Sequence, residues 1–419
     1  MKYSELIISI FFVIISLSAY GKGSETEWIT DNTTRIIGQT FSAPAAQQLV
    51  MMIPSRQGFD QGYESLADQL SAQGVDVWQP DWFGSYLQIP SETNLNSVPL
   101  TDMVDLLTQA SKQGKTVHIM AFGRGAPLAL NAWRAWQQQQ PNNTKRGGLI
   151  LISPNLVSRT PDPGESAEYL AVVRAMDAPI WIFQPQHSPY HGTASTLSSA
   201  LAEGGASVWL KTLVNMRDRF FYRPDANRAE QSYAPLFANE VAQALTLLSH
   251  DKQARHWQPL PDSGAKHKSS ANTGKLLAVQ GQALPIQLMD VQGKQQQLAD
   301  LKGKVVLINF WASWCPPCVH EMPSMQRLLD AEEKNGFALV AVNLGESQEA
   351  INAFAQQHKL NFPIWLDQTQ STANAWKVFA YPTSYLIDRD GKLRYAITGG
   401  ADWMDNTLHT AVIELLQDQ

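Results

Sequence analysis

Two cysteines, Cys315 and Cys318, are the only ones in the 419-residue chain. They lie three positions apart in Trp314-Cys315-Pro316-Pro317-Cys318. At that spacing two sulfurs can close a disulfide, and a thiolate so placed can exchange bonds with other sulfurs. The count excludes a multi-disulfide scaffold and a four-cysteine metal site. The run 305–310 (VVLINF) reads as a buried strand and 316–335 as a helix, so Cys315 stands where a helix begins. There the unpaired N–H groups and the helix dipole favour an anion, which lowers a thiol pKa below its free value of roughly 8.5. Pro316 suits the first helical turn, where no N–H is needed. Cys315 is expected to be the exposed attacker and Cys318, one turn further in, the buried resolver. A static disulfide, or half of a metal site, is the competing reading of the pair.

A second set of residues has the outline of a catalytic turn without its reactive group. Val117-His118-Ile119-Met120-Ala121-Phe122-Gly123-Arg124-Gly125 has a strand–elbow–helix form and resembles the nucleophile elbow of α/β-hydrolases. In active members a G-x-S-x-G turn carries the serine at its centre. Here the central residue is Gly123. After the expected strand 179–184 stands Pro185-Gln186-His187-Ser188, with no acid. After the expected strand 207–213 stands Asn215-Met216-Arg217-Asp218-Arg219, with no histidine. Ser55-Arg56-Gln57-Gly58 occupies the place of an oxyanion loop. The vacated crevice is expected to bind rather than cleave, with Arg56, Arg124, Arg217 and Arg219 at its mouth. Guanidinium groups there would favour an anionic ligand or an acidic partner loop. The plain alternative is four ordinary surface arginines. His118 and His187 read as core or loop histidines, since neither has a visible Ser or Cys partner.

The elements that position these residues follow from apolar periodicity. Strand-like runs at 48–53, 75–79, 116–121, 148–153, 179–184 and 207–213 alternate with helical patterns at 63–72, 100–111, 126–136, 194–202 and 230–248. Such alternation predicts a mostly parallel sheet covered on both faces. The order then changes. A hairpin is expected from 286–289 and 295–298, then the strand 305–310, the long helix, a strand at 338–343 and a helix at 348–358. A second hairpin, 384–388 with 393–397, and a closing helix at 405–416 complete it. This is the thioredoxin order with a short leading hairpin. The fold class is therefore α/β: an α/β-hydrolase-like, mostly parallel sheet followed by a thioredoxin fold.

The stretch Gly303-Lys304-Val305-Val306-Leu307-Ile308-Asn309-Phe310-Trp311-Ala312-Ser313-Trp314-Cys315-Pro316-Pro317-Cys318 resembles the active-site region of TlpA/ResA-type extracytoplasmic thioredoxins. The resemblance extends to Val342-Asn343-Leu344-Gly345-Glu346-Ser347, Asn361-Phe362-Pro363 and Tyr381-Pro382-Thr383, and spans nearly all of 280–419. It implies that Pro382 is the family's cis-proline, facing the disulfide and presenting the Tyr381 backbone to an incoming peptide or thiol. It implies that Glu346 is the acidic residue near the buried cysteine, able to take the proton of Cys318 as that sulfur attacks a mixed disulfide. Asn309 stands where ordinary thioredoxins carry a buried Asp and cannot act as that base. Trp314, Pro316, Pro317 and Tyr381 are the expected neighbours of the redox pair. Reduction of disulfides in exported client proteins is implied, with electrons from a membrane thiol transporter of the DsbD/CcdA type. No cofactor beyond the Cys315–Cys318 disulfide and no metal are expected. The reverse direction, a disulfide oxidase, stays open.

Composition fits this picture. Hydrophobic residues make up 44% and charged residues 17%, with a net charge of −6, so no basic surplus argues for nucleic acid. The start of the chain reads as an export signal: Lys2, an apolar run at 6–17, then small residues at Ser18, Ala19 and Gly21. A short uncleaved anchor is the alternative, and a periplasmic or other extracytoplasmic location is expected. Residues 251–276 are polar and rich in Ser, Lys, Gly and Pro, as a linker is. The expected organisation is a signal peptide at 1–21, a hydrolase-like domain at 28–250 lacking its nucleophile, a linker at 251–276 and a thioredoxin-like domain at 277–419. Two other functions remain in view: a hydrolase with an atypical nucleophile and an accessory redox domain, and a non-enzymatic assembly factor that holds a partner covalently.

Overall fold

The computed structural model describes residues 23–251, 253, 255, 257–261 and 274–418. The expected signal segment, and most of the expected linker (252, 254, 256 and 262–273), lie outside the described residues.

The first unit is built on eight strands: β1 (Ser24–Ile29), β2 (Arg35–Phe41), β3 (Gln48–Ile53), β4 (Val75–Pro80), β5 (Thr116–Phe122), β6 (Arg146–Ile152), β7 (Pro179–His187) and β8 (Ser207–Arg217). Their order in the sheet is β1-β2-β4-β3-β5-β6-β7-β8. β1, β2 and β4 pair antiparallel, and every pairing from β4 to β8 is parallel. The helices are α1 (Gln61–Ala72), α2 (Trp82–Ser85), α3 (Glu92–Asn96), α4 (Leu100–Lys112), α5 (Ala126–Gln139), α6 (Ala194–Glu203) and α7 (Arg228–Ser249). β5 shows why its run is apolar throughout. Val117, Ile119 and Ala121 face a core shared with Met103, Leu107, Leu130 and Trp133 of α4 and α5. Met120 and Phe122 face the other core, with Leu66 of α1 and Val241 and Leu245 of α7. A parallel strand buried on both faces loses the polar alternation of a half-exposed one.

The β1–β2 hairpin was not expected from the sequence, and β1 starts at Ser24, ahead of the boundary expected at residue 28. Of the six residues of β1 only Trp28 is buried, with its ring centroid 5.1 Å from that of Trp78. An edge strand with one anchoring side chain carries too little periodicity to be read.

The second unit follows the expected order, with additions. Its strands are β9 (Leu277–Ala278), β10 (Gln287–Asp290), β11 (Gln295–Gln297), β12 (Val305–Trp311), β13 (Phe337–Leu344), β14 (Ile364–Asp367), β15 (Thr383–Ile387) and β16 (Leu393–Thr398). The sheet order is β11-β10-β14-β13-β12-β15-β16-β9. β12, β13 and β14 are parallel, and β15 and β16 return antiparallel. The helices are α8 (Pro316–Glu332), α9 (Gln348–His358), α10 (Ser371–Ala375) and α11 (Asn406–Gln417). A mixed sheet flanked by helices in this order is a thioredoxin-like fold. β9, β14 and α10 are additions to the expected elements; β14 is a buried four-residue strand directly after Pro363. Cys318, Met322 and Met325 of α8 join Leu307 and Trp311 of β12 and Val412 of α11 in one core.

Candidate functional site

β12 delivers the chain to the redox pair. Ala312, Ser313 and Trp314 turn away from its end, Cys315 is the N-cap of α8, and Pro316 takes the first helical position. Cys315 and Cys318 form a disulfide with their Cα atoms 5.3 Å apart. The placement at a helix mouth is the expected one. The expected exposure is not: Cys315 is 6% exposed and Cys318 is fully buried. Both cysteines belong to the core of the second unit, with Trp314 and Tyr381 packed against it. Trp314 packs edge-on against Tyr381 with centroids 5.9 Å apart, and its face is covered by the ring of His187 from the end of β7. The Tyr381–Pro382 bond is cis. Tyr381 is half-buried, and its hydroxyl reaches Gln370 Oε1 at 3.4 Å. Pro317, the second residue of α8, lies against Gly400, where a Cβ would come within 3.1 Å of the Pro317 carbonyl oxygen.

Two buried carboxylates flank this centre. Glu346, in the turn between β13 and α9, accepts hydrogen bonds from Ser313 N (2.8 Å), Ser313 Oγ and Asn343 Nδ2 (2.8 Å). It is not a solvated helix-end residue; it ties β13 to the turn that carries Trp314 and Cys315. The second carboxylate, Glu321, was missed at the level of sequence. It lies on α8 three residues after Cys318, so both side chains share one helix face. Its oxygens accept from Asn309 Nδ2 at 2.7 Å and from Ala401 N at 3.0 Å. Burial raises its pKa to about 8, against those hydrogen bonds, which pull the other way. The signal was present in the spacing: a Glu beside Met322 on a helix whose Cys318, Met322 and Met325 stripe faces inward.

The crevice of the first unit opens where β5 enters α5. Gly123 has φ +50°, a conformation that glycine adopts without a Cβ penalty. A Cβ there would lie 3.0 Å from Ser55 Oγ. A cavity of about 240 Å³ opens at this turn, with Arg56, Tyr63, Arg124, Tyr190, Asp218 and Arg219 among its lining residues. Arg124 is held by Glu92 at 2.6 Å, and Arg219 lies over the Tyr222 ring at 5.3 Å. Arg217 does not belong to the mouth. It is 12% exposed and clamped by the wholly buried Glu230 at 2.6 Å and by Asp225 at 3.1 Å. As a strand-end residue it points back onto the start of α7, where the Glu230 carboxylate needs a countercharge. Asp218 accepts from Ser153 Oγ at 2.6 Å and Ser188 Oγ at 3.2 Å, and burial raises its pKa above the usual carboxylate range. His118 is fully buried, bonded to Ser249 Oγ at 3.2 Å, and burial holds its pKa down at about 3.

Comparison with known proteins agrees with this geometry over the second unit. Residues 279–396 match the AhpC/TSA family model. The thiol-disulfide oxidoreductase ResA of Geobacillus thermodenitrificans is 41% identical over 123 residues, which are 29% of this chain and 71% of the relative. ResA of Bacillus subtilis is 41% identical over 112 residues, 27% of this chain and 63% of the relative. Among solved structures, StoA of Bacillus subtilis is 30% identical, with a TM-score of 0.26, covering 28% of this chain and 89% of that one. A thiol:disulfide interchange protein of the thioredoxin family from Chlorobium tepidum is 26% identical, with a TM-score of 0.29, covering 33% and 98%. The bonded Cys-x-x-Cys pair and this kinship make the protein a thiol–disulfide oxidoreductase working through a Cys315/Cys318 dithiol. Through its C-terminal unit, the chain belongs to the ResA family of thiol–disulfide oxidoreductases.

Proposed function

We propose that the protein reduces disulfides of exported client proteins, with Cys315 as nucleophile, Cys318 as resolving thiol and Glu321 as the group that takes the resolving proton. The observation that carries this reading is the buried Glu321 carboxyl, with its pKa raised to about 8, one turn from Cys318. The Cys315 thiolate attacks one sulfur of the client disulfide. A mixed disulfide forms and the other client sulfur leaves as a thiolate. Cys318 then loses its proton to Glu321 and attacks Cys315 Sγ. The second client sulfur leaves as a thiolate, protons from water complete the client dithiol, and the Cys315–Cys318 disulfide is left. A dithiol donor returns two electrons and two protons for the next cycle. A carboxyl titrating near neutrality suits both the accepting and the returning step. Glu346, engaged by Ser313 and Asn343, is assigned to holding the Cys315 turn, with Pro382 and Tyr381 as the backbone edge that receives the client.

The expected export signal supports an extracytoplasmic site of action and a membrane thiol donor. No helix among the described residues is long and apolar enough to cross a membrane. For the first unit, the strand order with its antiparallel β1–β2 edge and the tight turn at Gly123 support an α/β-hydrolase-like domain, spanning about residues 24–250, that binds without cleaving. Among the described residues, its hydroxyl cluster, Ser153 and Ser188 on Asp218, has no imidazole in its hydrogen bonds to serve as base. The test is reduction of insulin by dithiothreitol with and without the full-length protein. Turnover above the uncatalysed rate that disappears in Cys315→Ser supports the assignment, and equal rates for the two proteins refute it.

A further inference from the structure

The loop from the end of β7 to the start of α6 belongs to the first unit but lies on the redox centre of the second. The His187 ring stacks on Trp314 with centroids 6.0 Å apart and 18° between planes. The Glu346 carboxylate is near enough to oppose the lowering of the His187 pKa by burial. Tyr190 packs on Phe379 at 5.8 Å, and Gln370 Nε2 reaches the Gln186 carbonyl at 3.5 Å. Gly192 lies against Asn374, whose side chain would have to shift to admit a Cβ there. These contacts touch Trp314, Gln370, which meets the Tyr381 hydroxyl, and Phe379, two residues before Tyr381.

We propose that His187 is a specificity-determining residue of the redox centre: covering Trp314, it admits small disulfides to Cys315 and turns away bulky protein disulfides unless they displace the loop. This rests on the reading that clients approach along Trp314 and Tyr381. A second observation shows why the cover is displaceable. His187 Nε2 and Trp314 Nε1 are both buried without a hydrogen-bond partner among the described residues. Water satisfies both once the loop lifts, so the stacking that closes the site works against two desolvated donors or acceptors.

The test uses the full-length protein with dithiothreitol as electron source and two substrates, insulin and 2-hydroxyethyl disulfide. In His187→Ala, kcat/KM for insulin rises about three- to tenfold, the shift that loss of one aromatic stack allows, chiefly through a lower KM. The rate on 2-hydroxyethyl disulfide changes by less than about twofold, since a small molecule is not screened. His187→Phe, which keeps a stacking ring, returns the ratio of the two rates to the wild-type value. Should His187→Ala fold poorly by thermal melting, Gly192→Trp pushes the same loop off Asn374 and carries the same expectation. An insulin-to-small-disulfide ratio unchanged in the folded variant overturns the proposal while leaving the oxidoreductase intact. A wild-type protein that turns over neither substrate overturns both.

Discussion

Asn309 Nδ2 donates to Glu321 Oε1 at 2.7 Å, inside the core beside the redox helix, and both side chains are buried. The amide also donates to Ser384 Oγ at 2.9 Å. A neutral partner lets one carboxyl sit there alone. An aspartate at residue 309 would set two acids against each other in one dry site.

Replacing Glu321 by Gln therefore separates two steps. Attack by Cys315 is retained, and resolution of the mixed disulfide by Cys318 slows by about a hundredfold, the lower range for loss of a general base. Rapid-quench trapping followed by mass spectrometry reads the accumulated intermediate. Equal resolution rates would assign the proton to another group.

The same carboxyl makes stability depend on pH. Its folded pKa of about 8 lies above the ordinary glutamate value of 4.5, so the folded state holds the proton longer than the unfolded chain. Its contribution is complete below the unfolded value and is lost as pH rises through about 8. Urea midpoints for the wild type should fall relative to Glu321→Gln as pH increases from 4.5 to 8. A difference that is flat across this range removes the argument.

Arg217 and Arg56 should behave oppositely on substitution by alanine. Removing Arg217 strands the buried Glu230 carboxylate and costs about 3–5 kcal/mol. Removing the exposed Arg56 changes stability by no more than about 0.5 kcal/mol. Chemical denaturation of the two variants decides whether the ion pair has the structural role assigned to it.

Cover of the redox centre should weaken in acid. Burial lowers the His187 pKa from 6.5, against the Glu346 and Glu230 carboxylates, which raise it; Arg217 lowers it further. His191 is a second, neighbouring imidazole with a pKa lowered by burial. A ring whose pKa is depressed in the covered state binds its proton better when uncovered. Closure is thus complete above the ordinary histidine value of about 6.5 and declines as pH falls below it. The insulin rates of wild type and His187→Ala should converge between about pH 7.5 and pH 5.5. Taking their ratio cancels the common loss of thiolate. Divergence on acidification contradicts the assignment.

What the sequence reveals and hides follows from the range of each interaction. β3 and α9 are found at the limits their periodicity predicts, because local burial sets both. The redox pair is legible because strand, turn and helix are contiguous. β14 is hidden by its four-residue length behind a proline, and Glu321 by its type: a helical glutamate looks solvated until the distant Ala401 amide is seen on it. The contact of His187 arises from one loop meeting a tryptophan far along the chain, and no window of residues contains both.

Tyr190 has one foot in each unit: its hydroxyl accepts from Asn155 Nδ2 at 2.8 Å at the Gly123 crevice, while its ring rests on Phe379. Thermodynamic reciprocity then applies between the two rooms it joins. A solute that fills the crevice better in one posture of this side chain changes a client's affinity for the sulfur centre by some factor, and client docking changes the solute's affinity by that same factor. The crevice and the sulfur centre are thereby joined through a single phenol.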